Sequence, residues 1–323
     1  MTGYIIKRLT SLLFVMVIVS IIVFIMMNLL PGGPYGMGER GHTQEALENL
    51  KRKFGLDKPP LERYLIFFTN ALRLDFGNSF AVAGNPPVTE VIARTWPITL
   101  HVGLYTILLA FSIGLTLGIV AALYRNSWID NVVTFVATLG ITVPSFVFAT
   151  WFLLIFGFQS GWGKENQWIV GPVFGQGPAL LSRDYFLPVV TYALAPLAQV
   201  ARYTRASVAD ALNADYVRTA RAKGLTERRI TIRHVLRNAL IPMVTVLLPI
   251  VPDLLTGSLF IEVVYGIPGL GKFFVTSIFN RDYPMVMAMF LLIAFLWGVT
   301  YLITDILYTW IDPRVRITGA RSA

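Results

Sequence analysis

Six apolar stretches, each long enough to cross a bilayer, leave this chain few ways to fold. They cover about residues 9–30, 98–123, 132–158, 186–201, 239–264 and 284–311. A hydrocarbon core about 30 Å thick is crossed by roughly 20 helical residues. Within lipid every backbone N–H and C=O must find its partner inside the protein, so stretches of this kind fold as helices. With 55% of 323 residues hydrophobic and 14% charged, a soluble fold could not hide the apolar surface. The expectation is an all-α, polytopic membrane protein with six transmembrane helices. The first stretch reads as a retained span, because LLPGGP is no small-residue cleavage site and the apolar core is too long for a signal. The fourth is the shortest and carries Pro188 and Pro196.

Basic residues set the orientation. With the N-terminus inside, the inner face holds Lys7, Arg8, Arg125, the cluster over 202–237, and Arg314, Arg316 and Arg321. The short outer loops then hold only Lys164, Arg183, Lys272 and Arg281. Both termini are therefore expected in the cytoplasm, with the chain in a bacterial-type plasma (inner) membrane. The divisions are an N-terminus and first helix (1–30), a sizeable extracytoplasmic segment (31–96), a transmembrane core (97–311) and a cytoplasmic tail (312–323). A cytoplasmic loop over 202–238 joins the fourth and fifth helices. In the outer segment, Thr43 is expected to cap a helix ending near Phe54-Gly55. A second helix follows Pro59-Pro60, with Leu61, Tyr64, Leu65, Phe68, Ala71 and Leu72 at helical spacing and Gly77 as its stop. This segment is either a decorated loop or a docking site for a partner.

Catalytic chemistry is missing from the sequence. His42, His101 and His234 share no metal-ligand spacing, no grouping suggests hydrolysis, and there is no cysteine to supply a thiolate or a disulfide. GIPGLGK, ending at Lys272, imitates a nucleotide-binding loop, but Phe273 stands where a magnesium-binding hydroxyl is required. It reads as a turn after the fifth span. The net charge of +9 belongs to a membrane-facing pattern and not to nucleic-acid binding. No catalytic residue, cofactor or metal site is expected in this chain.

Two features ask for a function. The spans are interrupted: Pro144 and Ser145 lie in TVPSF, Pro249 and Pro252 in LLPIVPDLL, and Gly257 follows. Asp253 sits mid-span, where a carboxylate marks either a pathway or a structural hydrogen bond to a neighbouring helix. Glu262 and Asp305, nearer span ends, are expected to reach the interface. The second feature is DYVRTARAKGLTERRITIRHVLRNALIP, from Asp215 to Pro242. Asn213 is expected to cap a short helix carrying Ala214, Val217, Ala220 and Ala222 and ending at Gly224. Thr226 then caps a second helix whose apolar face is Ile232, Val235, Leu236, Ala239 and Leu240. Arg229, Arg233 and Arg237 form a stripe on another face. Arginines alone would serve as a lipid anchor. Their alternation with small residues also fits a peg that docks in a groove of a cytoplasmic partner.

The elbow resembles the cytoplasmic signature loop of ABC-importer permeases, in which Glu-Ala-Ala is followed by three residues and a glycine. Gly224 matches that glycine and Arg218-Thr219-Ala220 occupies the Glu-Ala-Ala positions; the glutamate is absent. The long form of the loop is similar to that of the dipeptide/oligopeptide (peptide/nickel) branch. The resemblance extends through YIIKRL, LLPGGP, FGLDKPPLERY, LDFGNSF, PPVTEVIARTWPITL, TVPSF, GSLFIEVVYGIPGLG, RDYP and DILYTWIDPRVR, as in the B-type membrane subunit. LLPIVPDLL departs from it, since the family's run there is plainer and contains glycine. The resemblance implies a permease forming half of a peptide pathway. It implies a homologous second permease, two cytoplasmic ATPases that bind ATP and magnesium, and an extracytoplasmic substrate-binding protein. It assigns ATPase coupling to Asp215, Tyr216, Arg218, Thr219, Ala220, Arg221, Ala222, Lys223, Gly224 and Leu225. In this picture Pro144, Ser145, Asp253 and Glu262 belong to the pathway. A stand-alone channel or ion-coupled carrier is the rival reading, and it predicts two similar half-sequences; none is evident. A scaffold with no transport role leaves the broken spans unexplained.

Overall fold

The computed structural model describes residues 2–29, 58–80, 82–158 and 185–311. The expected helix after Thr43, Lys164, Arg183 and the tail 312–323 lie outside them. Within the described residues the chain is helical, with turns and one isolated bridge between Asn78 and Pro87. The helices are α1 (Thr2–Leu29), α2 (Pro60–Ala71), α3 (Val88–Leu123), α4 (Trp128–Thr142), α5 (Ser145–Phe152) and α6 (Phe186–Leu212). They continue as α7 (Asp215–Ala222), α8 (Glu227–Ile230), α9 (Leu236–Leu247), α10 (Ile250–Thr256), α11 (Ile261–Val264), α12 (Leu270–Phe279) and α13 (Tyr283–Ile311).

Three described helices are long and apolar enough to cross a membrane, over Ile6–Leu29, Val88–Leu123 and Tyr283–Leu307. The third apolar stretch is bent by 97° where α4 gives way to α5 at Val143-Pro144, and the pair counts as a fourth crossing if taken as one span. The fifth stretch is no single helix but α9, α10 and α11, parted at Leu248-Pro249 and at Gly257–Phe260. α3 begins ten residues before the expected span and, at 36 residues, is about 54 Å long, so it projects beyond the hydrocarbon.

The short, proline-bearing fourth stretch turns out to be the centre of the bundle. It continues past residue 201 to Leu212, and Pro188, Ala193, Pro196, Val200, Ala201, Thr204 and Val208 are all buried. α3 and α4 close on it through glycines. A Cβ on Gly114 would come within 2.9 Å of the Leu197 carbonyl, and one on Gly118 within 2.5 Å of the Ala201 carbonyl. On Gly140 it would meet Leu194 and Ala198 at 3.0 Å. Small residues permit this backbone approach, which replaces the hydrophobic drive that lipid cannot supply.

α1 lies along α13. Gly298 leaves room for Leu12, and Arg8 pairs with Asp305 at 2.8 Å. α2 packs on the C-terminal half of α1, with Tyr64 hydrogen-bonded to Ser20 at 2.9 Å and its ring against Phe24. Leu61, Leu65 and Leu72 of the expected apolar face remain exposed, and α2 stops at Ala71, six residues before Gly77. The outer segment is anchored by Asp282, which accepts from the Ser79 hydroxyl at 2.5 Å and the Phe80 amide at 2.9 Å.

Candidate functional site

Ala214, in extended conformation, starts α7. Asn213 serves the preceding helix instead, donating from Nδ2 to the Ala209 carbonyl at 3.0 Å, so its expected role as the cap of α7 does not hold. Val217 and Ala220 are buried, while Asp215, Tyr216, Arg218, Thr219, Arg221, Ala222, Lys223 and Gly224 are exposed and Leu225 is half-buried. Gly224 has φ +75°, the left-handed geometry that lets the chain reverse after α7, and nothing lies within 4 Å of where its Cβ would stand. Across this turn Arg221 grips Glu227 with two hydrogen bonds, 2.7 Å from Nε and 3.2 Å from Nη2. That contact holds the Glu227 carboxyl below, and the Arg221 guanidinium above, their ordinary pKa values. Thr226 occupies the cap position of α8, but its hydroxyl makes no capping bond.

From Glu227 to Leu247 the backbone is continuously helical: α8, a π-turn over Thr231–Val235, then α9. The π-turn contains one more residue than an α-turn, which rotates everything before it by about 100°. The buried face is consequently Ile230, Val235, Ala239 and Met243; of the expected set Val235 and Ala239 are buried and Leu236 packs against them, while Ile232 is 58% exposed. Leu240 lies outside the residues whose side chains are described. Arg229, Arg233 and Arg237 are all exposed. Val217 and Ala220 of α7 belong to the same apolar cluster as Ile230, Val235, Ala239, Met243 and Leu247, together with Val200 and Val208 of α6. The elbow is thus packed rigidly into the bundle. Arg205, counted with the basic cluster in the sequence, is committed elsewhere. It clamps the buried Asp130 at the start of α4, with Nη2 2.7 Å from Oδ2.

A second group of predicted residues gathers around the breaks in the helices. Pro144, exposed, caps α5 at the 97° bend, with Ser145 half-buried after it. Phe146 touches Phe260 with ring centres 5.5 Å apart, which joins this bend to the α10–α11 break. Asp253, on α10, is exposed. Its carbonyl accepts from the Tyr192 hydroxyl at 2.9 Å, and the Trp297 indole of α13 lies beside its carboxyl. Neither aromatic was flagged by the sequence, because each lies far from Asp253 along the chain.

Glu262 does not reach the interface. It is 2% exposed and accepts from the Thr99 hydroxyl at 2.8 Å and the Lys272 amide at 3.0 Å. Gly257 (φ +91°), Gly269 and Gly271 crowd its carboxyl so closely that a Cβ on any of them would come within 3.0 Å. The GIPGLG turn is therefore wrapped around a carboxylate, and Thr99 completes the knot by accepting from the Leu270 amide at 2.7 Å. That enclosure leaves Glu262 no surface for a passing substrate.

Comparison with known proteins places this geometry. Residues 114–317 match the family described as "Binding-protein-dependent transport system inner membrane component", and residues 1–103 match its N-terminal counterpart. Among curated relatives, the dipeptide transport system permease protein DppB of Lactococcus lactis is 38% identical over 98% of this chain and 100% of its own length. DppB of Bacillus subtilis is 34% identical over 98% and 99%. The oligopeptide transport system permease protein OppB of Salmonella typhimurium is 36% identical over 98% and 100%. The chain belongs to this family of binding-protein-dependent inner-membrane components, and is a multi-pass, non-catalytic permease subunit of an ABC importer that acts with ATPase and binding-protein partners.

Proposed function

We propose that this chain forms half of the translocation pathway of a peptide importer, paired with a homologous second permease above two cytoplasmic ATPases. ATP and magnesium are held by those ATPases, and an extracytoplasmic binding protein delivers di- or oligopeptides to the outer face. Both termini are cytoplasmic, and six crossings result when α6 and the broken run α9–α11 are each counted as one. The observation that carries this reading is the elbow, where the exposed face of α7 and Gly224 stands on an apolar cluster shared with α6 and α9. Force applied to residues 215–225 by closing ATPases is passed to the bundle as a rigid-body displacement. Arg229, Arg233 and Arg237 lie beside this handle and meet anionic headgroups, worth about 1 kcal/mol each. Pro144, Ser145 and Asp253 face the pathway. The long similarity to dipeptide and oligopeptide permeases supports peptides as the cargo.

Reconstitution tests the reading. The assembled complex in proteoliposomes is expected to take up labelled peptide only with ATP and binding protein present, and the isolated chain to take up none. Uptake by the isolated chain without ATP would establish a stand-alone carrier instead.

A further inference from the structure

Asp253 lies within the fifth apolar stretch with its carboxylate exposed. Two long helices flank it. The Leu254 carbonyl rests on Gly103, about 22 Å along α3 from its outer start at Val88. Trp297, beside the Asp253 carboxyl, is the central residue of α13. A carboxylate here cannot face acyl chains, so water or protein must cover this side of α10 in the working complex. The backbone nearby carries the same requirement. α10 is cut off at Leu248-Pro249 and again at Gly257–Phe260, and interrupted backbone at this depth is tolerated only inside protein or along a water-filled cavity.

The chemistry around the carboxylate is selective. The Trp297 indole lies beside it, and the Tyr192 hydroxyl is bonded to the carbonyl of the same residue. No basic side chain among the described residues pairs with Asp253. An exposed carboxylate beside an indole ring and without a basic partner is suited to an ammonium or guanidinium group, by charge and by cation–π attraction. We propose that Asp253 is a specificity residue of the permease itself, which receives cationic groups of the passing substrate and favours peptides bearing lysine or arginine over acidic ones. The proposal rests on the peptide-importer reading above. A fixed ion pair with a basic residue of the second permease would satisfy the same carboxylate. The breaks on both sides of α10 favour a moving cation, because a permanent interface pair needs no interrupted helix.

The test is uptake of two labelled tripeptides, Ala-Lys-Ala and Ala-Glu-Ala, by the complete reconstituted complex, each corrected for its affinity for the binding protein. Asp253→Asn is expected to lower the lysine-to-glutamate uptake ratio about tenfold, the worth of one charge-assisted hydrogen bond. Asp253→Glu should retain the wild-type ratio, and Trp297→Phe should lower it by a smaller factor. An unchanged ratio in Asp253→Asn overturns the proposal while wild-type uptake upholds the importer. Loss of the second permease from purified Asp253→Asn complexes also overturns it, in favour of an interface pair. Absence of peptide uptake by wild type, with a competent binding protein, removes the peptide reading and this proposal together.

Discussion

Gly224 and Glu262 illustrate two ways a single position can be indispensable. At Gly224 the constraint is backbone geometry alone, since φ is +75° and no neighbouring atom would meet a Cβ. A β-branched residue there costs about 1–2 kcal/mol of local strain. Gly224→Val is therefore expected to reduce ATP-driven uptake about tenfold, whereas Gly224→Asn, which tolerates this conformation, should lose little; uptake rates of the reconstituted complex decide it. At Glu262 the constraint is the set of donors that would be left behind. Removing the carboxylate strands the Thr99 hydroxyl and the Lys272 amide in a buried site. Glu262→Ala should destabilise the purified permease by about 3 kcal/mol, read as a lower thermal midpoint, with Glu262→Gln in between. Gly224 could be recognised in the sequence because a helix-ending glycine is a local signal. The burial of Glu262 could not, because Thr99 reaches it from a distant part of the chain and the turn carrying Lys272 folds back over it.

Helices show the same division between local and non-local information. α1, α3 and α13 announce themselves by hydropathy, and Pro144, Pro249 and Gly257 mark places where the structure does break. α6 seemed the weakest span because hydropathy rewards contact with lipid, and this helix is enclosed by α3 and α4. Gly118→Leu would drive a side chain into the Ala201 carbonyl, and overpacking of this kind costs about 1–3 kcal/mol; the melting temperature of the purified complex should fall. The elbow's two helices and its glycine were legible, but the phase of the second was not. The π-turn at Thr231–Val235 is a backbone adjustment that puts Ile230 in the core, and an ideal period of 3.6 cannot anticipate it. Deleting the exposed Ile232 would turn the π-turn into an ordinary α-turn with both buried faces retained, so uptake should survive. Inserting an alanine after Ile232 instead rotates Ile230 out by about 100°, and should abolish coupling between ATP hydrolysis and uptake.

For the molecule as a whole, the important property is continuity. One apolar cluster joins Ala122 at the C-terminal end of α3, the C-terminal half of α6, both arms of the elbow and α9 through Leu247. On the proposed reading, a displacement applied to the elbow passes into the bundle through this cluster. Beyond Leu247 the helix is interrupted, and Asp253 lies on the segment between the two interruptions. A handle at one end and a broken helix at the other are the parts an alternating pathway requires. The chain contains no cysteine, so single cysteines can be placed without removing any. Thr219→Cys and Ala222→Cys, both on the exposed face of the elbow, should form a short-linker cross-link to an ATPase subunit in the assembled complex. Phe135→Cys, exposed on α4 within the membrane, should form none. A cross-link from Thr219→Cys and Ala222→Cys to the ATPase that strengthens when ATP is bound is the result this account predicts. Cysteines at both elbow positions that react only with lipid-borne reagent, and never with the ATPase, would contradict it.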